Sequence, residues 1–295
     1  MSKIGLVVLA VLFLPRLSSA LEEKTETEKE SWLPILKRHA ADYAIVPREG
    51  GKVAPTPLPE PILRWTQPVR GGDDGAVFLW VTDGRPAAVG TIFTYRVSGS
   101  PRVLQHEVHS LLTGGLDATW RGRPAWRSEK PGLTFRPVPD APAPAGSAPS
   151  RLRQMQAIAR EFSAGNVHEK AGVNELRLMP HPLYRYDPAP PGPGSSWNDG
   201  ALFCFAHGTD PEVFLLLETR RDGEKTEWHY ALARFSDLAL RVRFKGHEVW
   251  NVPPGTWNSH DGVHAYYLVE QINADTPEQY RKAAEAGATT ILLPK

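Results

Sequence analysis

The chain has 295 residues, with 34 Lys and Arg against 33 Asp and Glu and a formal net charge of +1. Near-neutrality excludes the basic excess on which nucleic-acid and anionic-lipid binding depend, and the single cysteine, Cys204, excludes an internal disulfide framework. The 25 glycines and 28 prolines demand many turns and, between them, short strands.

Residues 1–20 have the pattern of a cleavable signal peptide. Lys3 supplies the positive start, Ile4 to Leu14 an apolar stretch, Pro15 a helix break and Ser18-Ser19-Ala20 a small-residue site, with the cut after Ala20. The 11 residues from Ile4 to Leu14 fall short of the roughly 17 to 25 that a spanning helix needs, so no stable membrane anchor is expected. Leu21, not a cysteine, stands just after the cut, which rules out lipid anchoring there. Loss of Lys3 and Arg16 leaves 275 residues with 32 basic against 33 acidic side chains, long enough for a full hydrophobic core. The expected destination is secreted or periplasmic, and nothing chooses between the two.

Residues 21–60 are expected to hold an N-terminal helix and a Pro-rich connector. After the acidic stretch Glu22 to Glu30, Ser31 can cap a helix whose stripe carries Trp32, Ile35, Leu36 and Tyr43, with Pro34 in its first turn. Gly50-Gly51 and Pro55, Pro57, Pro59 and Pro61 then read as extended chain. Residues 61–132 form a first β unit, and residues 133–181 a second Pro-rich linker leading to a helix from Ser150 to Ser163. There Leu152, Met155, Ile158, Ala159 and Phe162 recur at helical spacing, Ser150 can cap, and Arg151, Arg153 and Arg160 fall on the solvated face. Residues 182–255 form a second β unit. The C-terminal extension, 256–295, is expected to hold a strand at Ala265 to Gln271 and a helix at Pro277 to Ala286, capped by Thr276 and stopped by Gly287.

The two β units carry the same motifs in the same order. Pro61-Ile62-Leu63-Arg64-Trp65 is echoed by Pro182-Leu183-Tyr184-Arg185-Tyr186, and Asp74-Gly75-Ala76 by Asp199-Gly200-Ala201, after which Pro86 and Val89 fall on Pro211 and Phe214. Glu107 to Leu112 is set against Glu227 to Leu232, and Trp120 to Trp126 against Phe244 to Trp250. Such shared order implies an internal duplication. Turn signals divide each copy into five or six strands, and the continuous run Phe214 to Leu217 implies burial on both faces. The expected fold is α+β and β-rich, two antiparallel meanders packed as a pseudo-twofold sandwich or partly closed barrel, with flanking helices on an open side and Cys204 in the core.

No catalytic motif stands out. His106-Glu107-Val108-His109 has the wrong spacing for a helical zinc site, and on a strand its two histidines point to opposite faces. Glu107 and His109 do share a face, as do Glu227 and His229, so the four could converge between the units. His260 and His264 are four apart and are candidate metal ligands, with Gly262 between them favouring a turn instead. Asp74 and Asp199 are expected to serve the turns beside their glycines. Of the nine tryptophans, Trp126 and Trp250 recur and are assigned to packing, whereas Trp197 and Trp257 lie in loops and are the candidate ligand-binding pair.

In combination, Leu63-Arg64-Trp65, His106-Glu107-Val108-His109-Ser110-Leu111, Arg153-Gln154-Met155, Glu175-Leu176-Arg177-Leu178, Asp199-Gly200-Ala201-Leu202-Phe203 and Gly208-Thr209-Asp210-Pro211 resemble a group of exported planctomycete proteins of unknown function. The resemblance spans about Pro61 to Trp250 and implies bacterial origin and export, with no activity to carry over. The functional expectation is a non-catalytic binding or structural module of the cell envelope, without a cofactor, meeting an envelope polymer, a small ligand or a protein partner. The alternative is a hydrolase or metal-dependent enzyme whose site lies between the units at Glu107, His109, Glu227 and His229.

Overall fold

Trp32, Ile35, Leu36 and Ala40 recur at helical spacing, and in the computed structural model they are the buried stripe of a helix, α1, over residues 32–41. The structure describes residues 32–48, 53–67, 72–96, 102–168, 172–186, 197–222, 225–255, 266–271, 275–286 and 290–292. After α1 come β1 (Tyr43–Pro47), β2 (Thr56–Pro57), β3 (Leu63–Gln67), β4 (Gly72–Thr82), β5 (Arg85–Tyr95), β6 (Val103–Ser110), β7 (Leu116–Trp120), β8 (Arg123–Ser128) and β9 (Arg136–Pro137). Helix α2 (Ala148–Arg160) follows, then β10 (Phe162–His168), β11 (Gly172–Leu178), β12 (Tyr184–Arg185), β13 (Trp197–His207), β14 (Asp210–Asp222), β15 (Lys225–Arg234), β16 (Ala239–Phe244) and β17 (His247–Val252). The C-terminal part adds β18 (Tyr266–Gln271), α3 (Pro277–Glu285) and β19 (Thr290–Leu292).

The fold is α+β and β-rich, and the pairings among the described residues are antiparallel. One sheet runs β19-β18-β6-β5-β4-β2 with β3 also on β4, a second runs β17-β16-β10-β11-β13-β14-β15-β9 with β12 on β13, and a small third sheet is β1-β7-β8. Alternation along the long strands divides their side chains between two layers. In the first sheet Ala76, Phe78, Trp80, Ile92, Leu104 and Val108 face α1 and the small sheet. In the second, Phe203, Phe205, Leu215, Leu217, Trp228 and Tyr230 face α2 and β16. The opposite faces meet in one shared layer, where Trp65, Val77, Leu79, Val89 and Phe93 pack with Tyr186, Leu202, Cys204, Phe214 and Leu216. Phe214 to Leu217 is therefore buried on both faces, and Cys204 lies in the shared core.

Both halves use the same local devices. Trp65 lies across Gly75 and Tyr186 across Gly200, and a Cβ on either glycine would run into the ring. Arg64 meets Asp74 at 2.5 Å and Arg185 meets Asp199 at 2.8 Å. Two-residue hairpin turns join β7 to β8 and β16 to β17, with φ of 50° and 74° at Arg121-Gly122 and 48° and 81° at Lys245-Gly246, the twist that suits strand pairs. Across the halves, Arg85 reaches the buried Glu218 at 3.2 Å, and Phe135 lies under the Arg85 and Arg220 guanidiniums.

Several expectations are corrected. Strands β4, β5 and β13 are 11 residues long and β14 is 13, because Gly75, Pro86, Gly90, Gly200 and Pro211 lie within the strands instead of ending them. Helix α2 starts after Ser147, not Ser150, since Pro149 needs no N–H partner in the first turn, and Phe162 has left the helix for β10. Arg151 is not on a wet face, because its Nε donates to the buried Asp199 at 2.8 Å. Asp74 and Asp199 sit in strands and hold arginines instead of serving turns. The unit boundaries at 61 and 182 are also too late, because β1 pairs with β7 and β10 with β16. Each half therefore begins at its helix. Ser31, Gly50, Gly51 and Gly287 lie outside the described residues.

Phe214→Ala is expected to lower stability by about 3 to 5 kcal/mol, and because both halves share this layer, circular dichroism and tryptophan fluorescence should still report one coincident unfolding transition. Separate melting of the two halves would contradict a shared core.

Candidate functional site

Four elements bring polar side chains together at the outer side of the first sheet. Helix α1 carries His39 beside Ala40, β1 begins with Tyr43, and β6 places His106 between the buried Leu104 and Val108. Helix α3 starts with a capping box, Thr276 with Gln279, that sets Tyr280 one turn in, where it is buried against Trp32. The side chains form a hydrogen-bonded chain: Tyr280 Oη to His39 Nε2 at 2.7 Å, His39 Nδ1 to His106 Nε2 at 2.9 Å, and His106 Nδ1 to Tyr43 Oη at 2.9 Å. Trp120 Nε1 donates to the His39 carbonyl at 3.1 Å, fixing the end of α1.

Burial keeps both imidazoles neutral. It lowers the His106 pKa from 6.5 to about 3, with a further push from the Arg121 charge. His39 is held well below 6.5 by burial first, then by His106, Arg121 and Arg38. A neutral imidazole has one donor and one acceptor nitrogen, so the chain has a direction. Arg121, which can only donate, places Nη2 3.4 Å from His39 Nε2. This assigns the lone pair to Nε2: Tyr280 donates to His39, His39 Nδ1–H to His106, and His106 Nδ1–H to Tyr43.

Above His39 opens a cleft of about 550 Å³, lined by Arg38, Arg121, Tyr280, Arg281 and Glu285, with Pro34, Ile35 and Ala284 as its apolar part. Arg121 is held in place by Asp42, at 2.8 Å, and by the Trp120 ring, whose centroid lies 4.1 Å from its guanidinium carbon. The second half fills the corresponding positions with aromatic and aliphatic side chains. Strand register sets Tyr43 opposite Trp120 and Phe162 opposite Phe244, and the ring centroids of Phe162 lie 5.1 Å from Tyr230 and 4.7 Å from Phe244. Ile158 stands in α2 where His39 stands in α1.

The four residues expected to converge between the units are not brought together. His106 and His109 do point to opposite faces of β6. Glu107 and His109 are buried on the shared-layer side, and His109 Nδ1 donates to the Ser110 carbonyl at 2.7 Å. His109 borders a crevice of about 140 Å³ with Arg136, Tyr230, Arg234 and Trp250. Glu227 borders a different one, beside Pro137 and Lys225, and His229 pairs across to Glu218 and Pro137. The correspondence of Glu107–Leu112 with Glu227–Leu232 is itself out by four residues: Leu111 N donates to Ala87 O and Phe235 N to Glu212 O, so the partner position of His109 is Ala233. An even slip keeps every side chain on its face and leaves no trace in the hydrophobic pattern.

Trp197 lies on β13 opposite Arg220, not in a loop, and its side chain is outside the described residues, as are Trp257, His260 and His264. Among the described residues no group of three His, Cys, Asp or Glu is placed to hold a metal ion. His39, Tyr43, Arg121 and Tyr280 were not singled out by sequence reasoning; the available signal was a histidine on each of two apolar stripes, His39 beside Leu36 and Ala40, and His106 between Leu104 and Val108. No family model, curated protein or solved structure matches the chain.

Because the unfolded histidines titrate near 6.5 and His106 in the fold only near 3, the unfolded chain binds the extra protons. Stability is therefore complete above pH 6.5 and falls as pH drops, by up to about 1.4 kcal/mol per pH unit for each histidine. Urea unfolding between pH 6.5 and 5, above the carboxylate range, should show this slope, and His39→Ile with His106→Tyr should flatten it. An equal slope in that double variant would contradict the assignment.

Proposed function

We propose that this chain is an exported, non-catalytic binding module of the cell envelope, and that its ligand enters the cleft between α1, α3 and Arg121. One observation carries the reading. The two halves share a plan, yet Tyr280, His39, His106 and Tyr43 form a buried polar chain beneath an open cleft where the second half has Ile158, Phe162 and Tyr230. Buried polar groups contribute little net stability compared with well-packed hydrocarbon, so the fold itself does not require them. The like devices at Gly75 and Gly200, and at Arg121-Gly122 and Lys245-Gly246, support descent of the halves from one duplicated unit, in which one copy kept a packed core and the other acquired a site.

Export is supported by Lys3, the apolar stretch Ile4 to Leu14 and Ser18-Ser19-Ala20 and by the resemblance to exported planctomycete proteins; among the described residues no helix is long and apolar enough to cross a membrane. An enzyme site between the units at Glu107, His109, Glu227 and His229 is not favoured, since His109 and Glu227 open onto different crevices.

Replacing the chain with its counterparts, His39→Ile, Tyr43→Phe and His106→Tyr together, is expected to leave the thermal midpoint unchanged or raised, while Tyr280→Phe alone, which takes the donor from the buried His39 Nε2, costs about 1 to 3 kcal/mol. A fall of more than about 3 kcal/mol in both would make the chain a structural network and overturn the reading. Mass spectrometry of protein secreted by a bacterial host should give Leu21 as the first residue. A species that retains Lys3 would contradict export by cleavage.

A further inference from the structure

The cleft that this reading takes as the binding site also carries a chemical signature. Three permanent cations, Arg38 on α1, Arg121 on the β7–β8 turn and Arg281 on α3, line it from separate elements, against the single acid Glu285. Arginines drawn from three elements to one opening repel one another, and such an arrangement suits a bound anion. Arg121 is also preorganised. Stacking on Trp120 and the ion pair with Asp42 through Nε fix the guanidinium plane, while Nη2 turns inward toward His39 Nε2 at a long 3.4 Å. An oxyanion in the cleft offers that N–H a stronger acceptor than the imidazole lone pair does.

The rest of the lining limits the ligand further. His39 and Tyr280, both buried, form the polar floor, the Tyr280 hydroxyl giving its proton to His39 Nε2. Pro34, Ile35 and Ala284 supply hydrocarbon on the remaining walls. A volume of about 550 Å³ falls within the roughly 300 to 1,000 Å³ of small-molecule sites. We infer that the cleft binds a small free organic anion, its carboxylate or phosphate group held by Arg121 and Arg281 and its apolar body laid against Pro34, Ile35 and Ala284.

This inference rests on the cleft being the binding site, and four probes of similar size separate the two claims: benzoate, phenyl phosphate, neutral benzamide and cationic benzylamine, titrated by calorimetry into the full mature chain. Benzoate and phenyl phosphate should bind saturably and at least about tenfold more tightly than the other two, the discrimination that charge-assisted hydrogen bonds give. Arg121→Gln and the solvent-facing Arg281→Gln should each weaken phenyl phosphate by about fivefold or more, and added salt should weaken it too. Arg281→Gln keeps the test open even if loss of Arg121 disturbs the turn. Benzamide binding as tightly as benzoate, and lost in Tyr280→Phe, would overturn the anion assignment while leaving the site in place. No saturable binding of either anion would also overturn it. Failure of the site itself is read separately, from the stability of the triple variant.

Discussion

The shared apolar layer between the two sheets is the constraint on which the rest of the fold depends. Trp65, Val77, Leu79 and Val89 from one half meet Leu202, Cys204, Phe214 and Leu216 from the other, so one face of each long hairpin is committed to its opposite number. The other face of each hairpin is then left to be covered. Helix α1 with the β1-β7-β8 sheet covers the first, and α2 with β10 and β16 covers the second. Side chains buried on both faces follow directly, and so does the placement of the arginine–carboxylate pairs. Asp74, Asp199 and Glu218 are taken out of water by the layers above them and must be met by Arg64, Arg185 and Arg85.

The two halves answer the same packing problem with different chemistry in their outer layers. Around Phe162 the second half places the rings of Tyr230 and Phe244. Around Tyr43 the first half holds two histidines, and α3 from the C-terminal part closes the group through Tyr280. A polar chain buried at this depth is stable only when every member is satisfied, and the single direction of donation from Tyr280 to Tyr43 meets that requirement. The same burial that keeps His39 neutral leaves the nearby arginines as the principal charges at the cleft.

Much of this architecture was legible in the sequence. The echo of Arg64-Trp65 in Arg185-Tyr186 and of Asp74-Gly75 in Asp199-Gly200 marked positions that turned out to have the same contacts, because a ring crossing a glycine leaves little freedom in residue choice. Thr276 and Pro277 announced α3 for equally local reasons. What was not legible depended on distance along the chain. The slip of four residues at Glu227 preserved the alternation and could be seen only from strand register. The candidate site was hidden for a related reason: His39, His106 and Tyr280 are separated by 67 and 174 positions in the numbering, and nothing local to any of them shows that a helix, a strand and a C-terminal helix converge.

His39 and His106 are buried, neutral and linked in one chain. Nitrogen-15 correlation spectra of the histidine side chains at pH 5 test this directly. Two non-titrating neutral imidazoles are expected, each with its proton on Nδ1, one absent from the spectrum of His39→Ile and the other from that of His106→Tyr. Ordinary titration of both residues near pH 6.5 would contradict this arrangement.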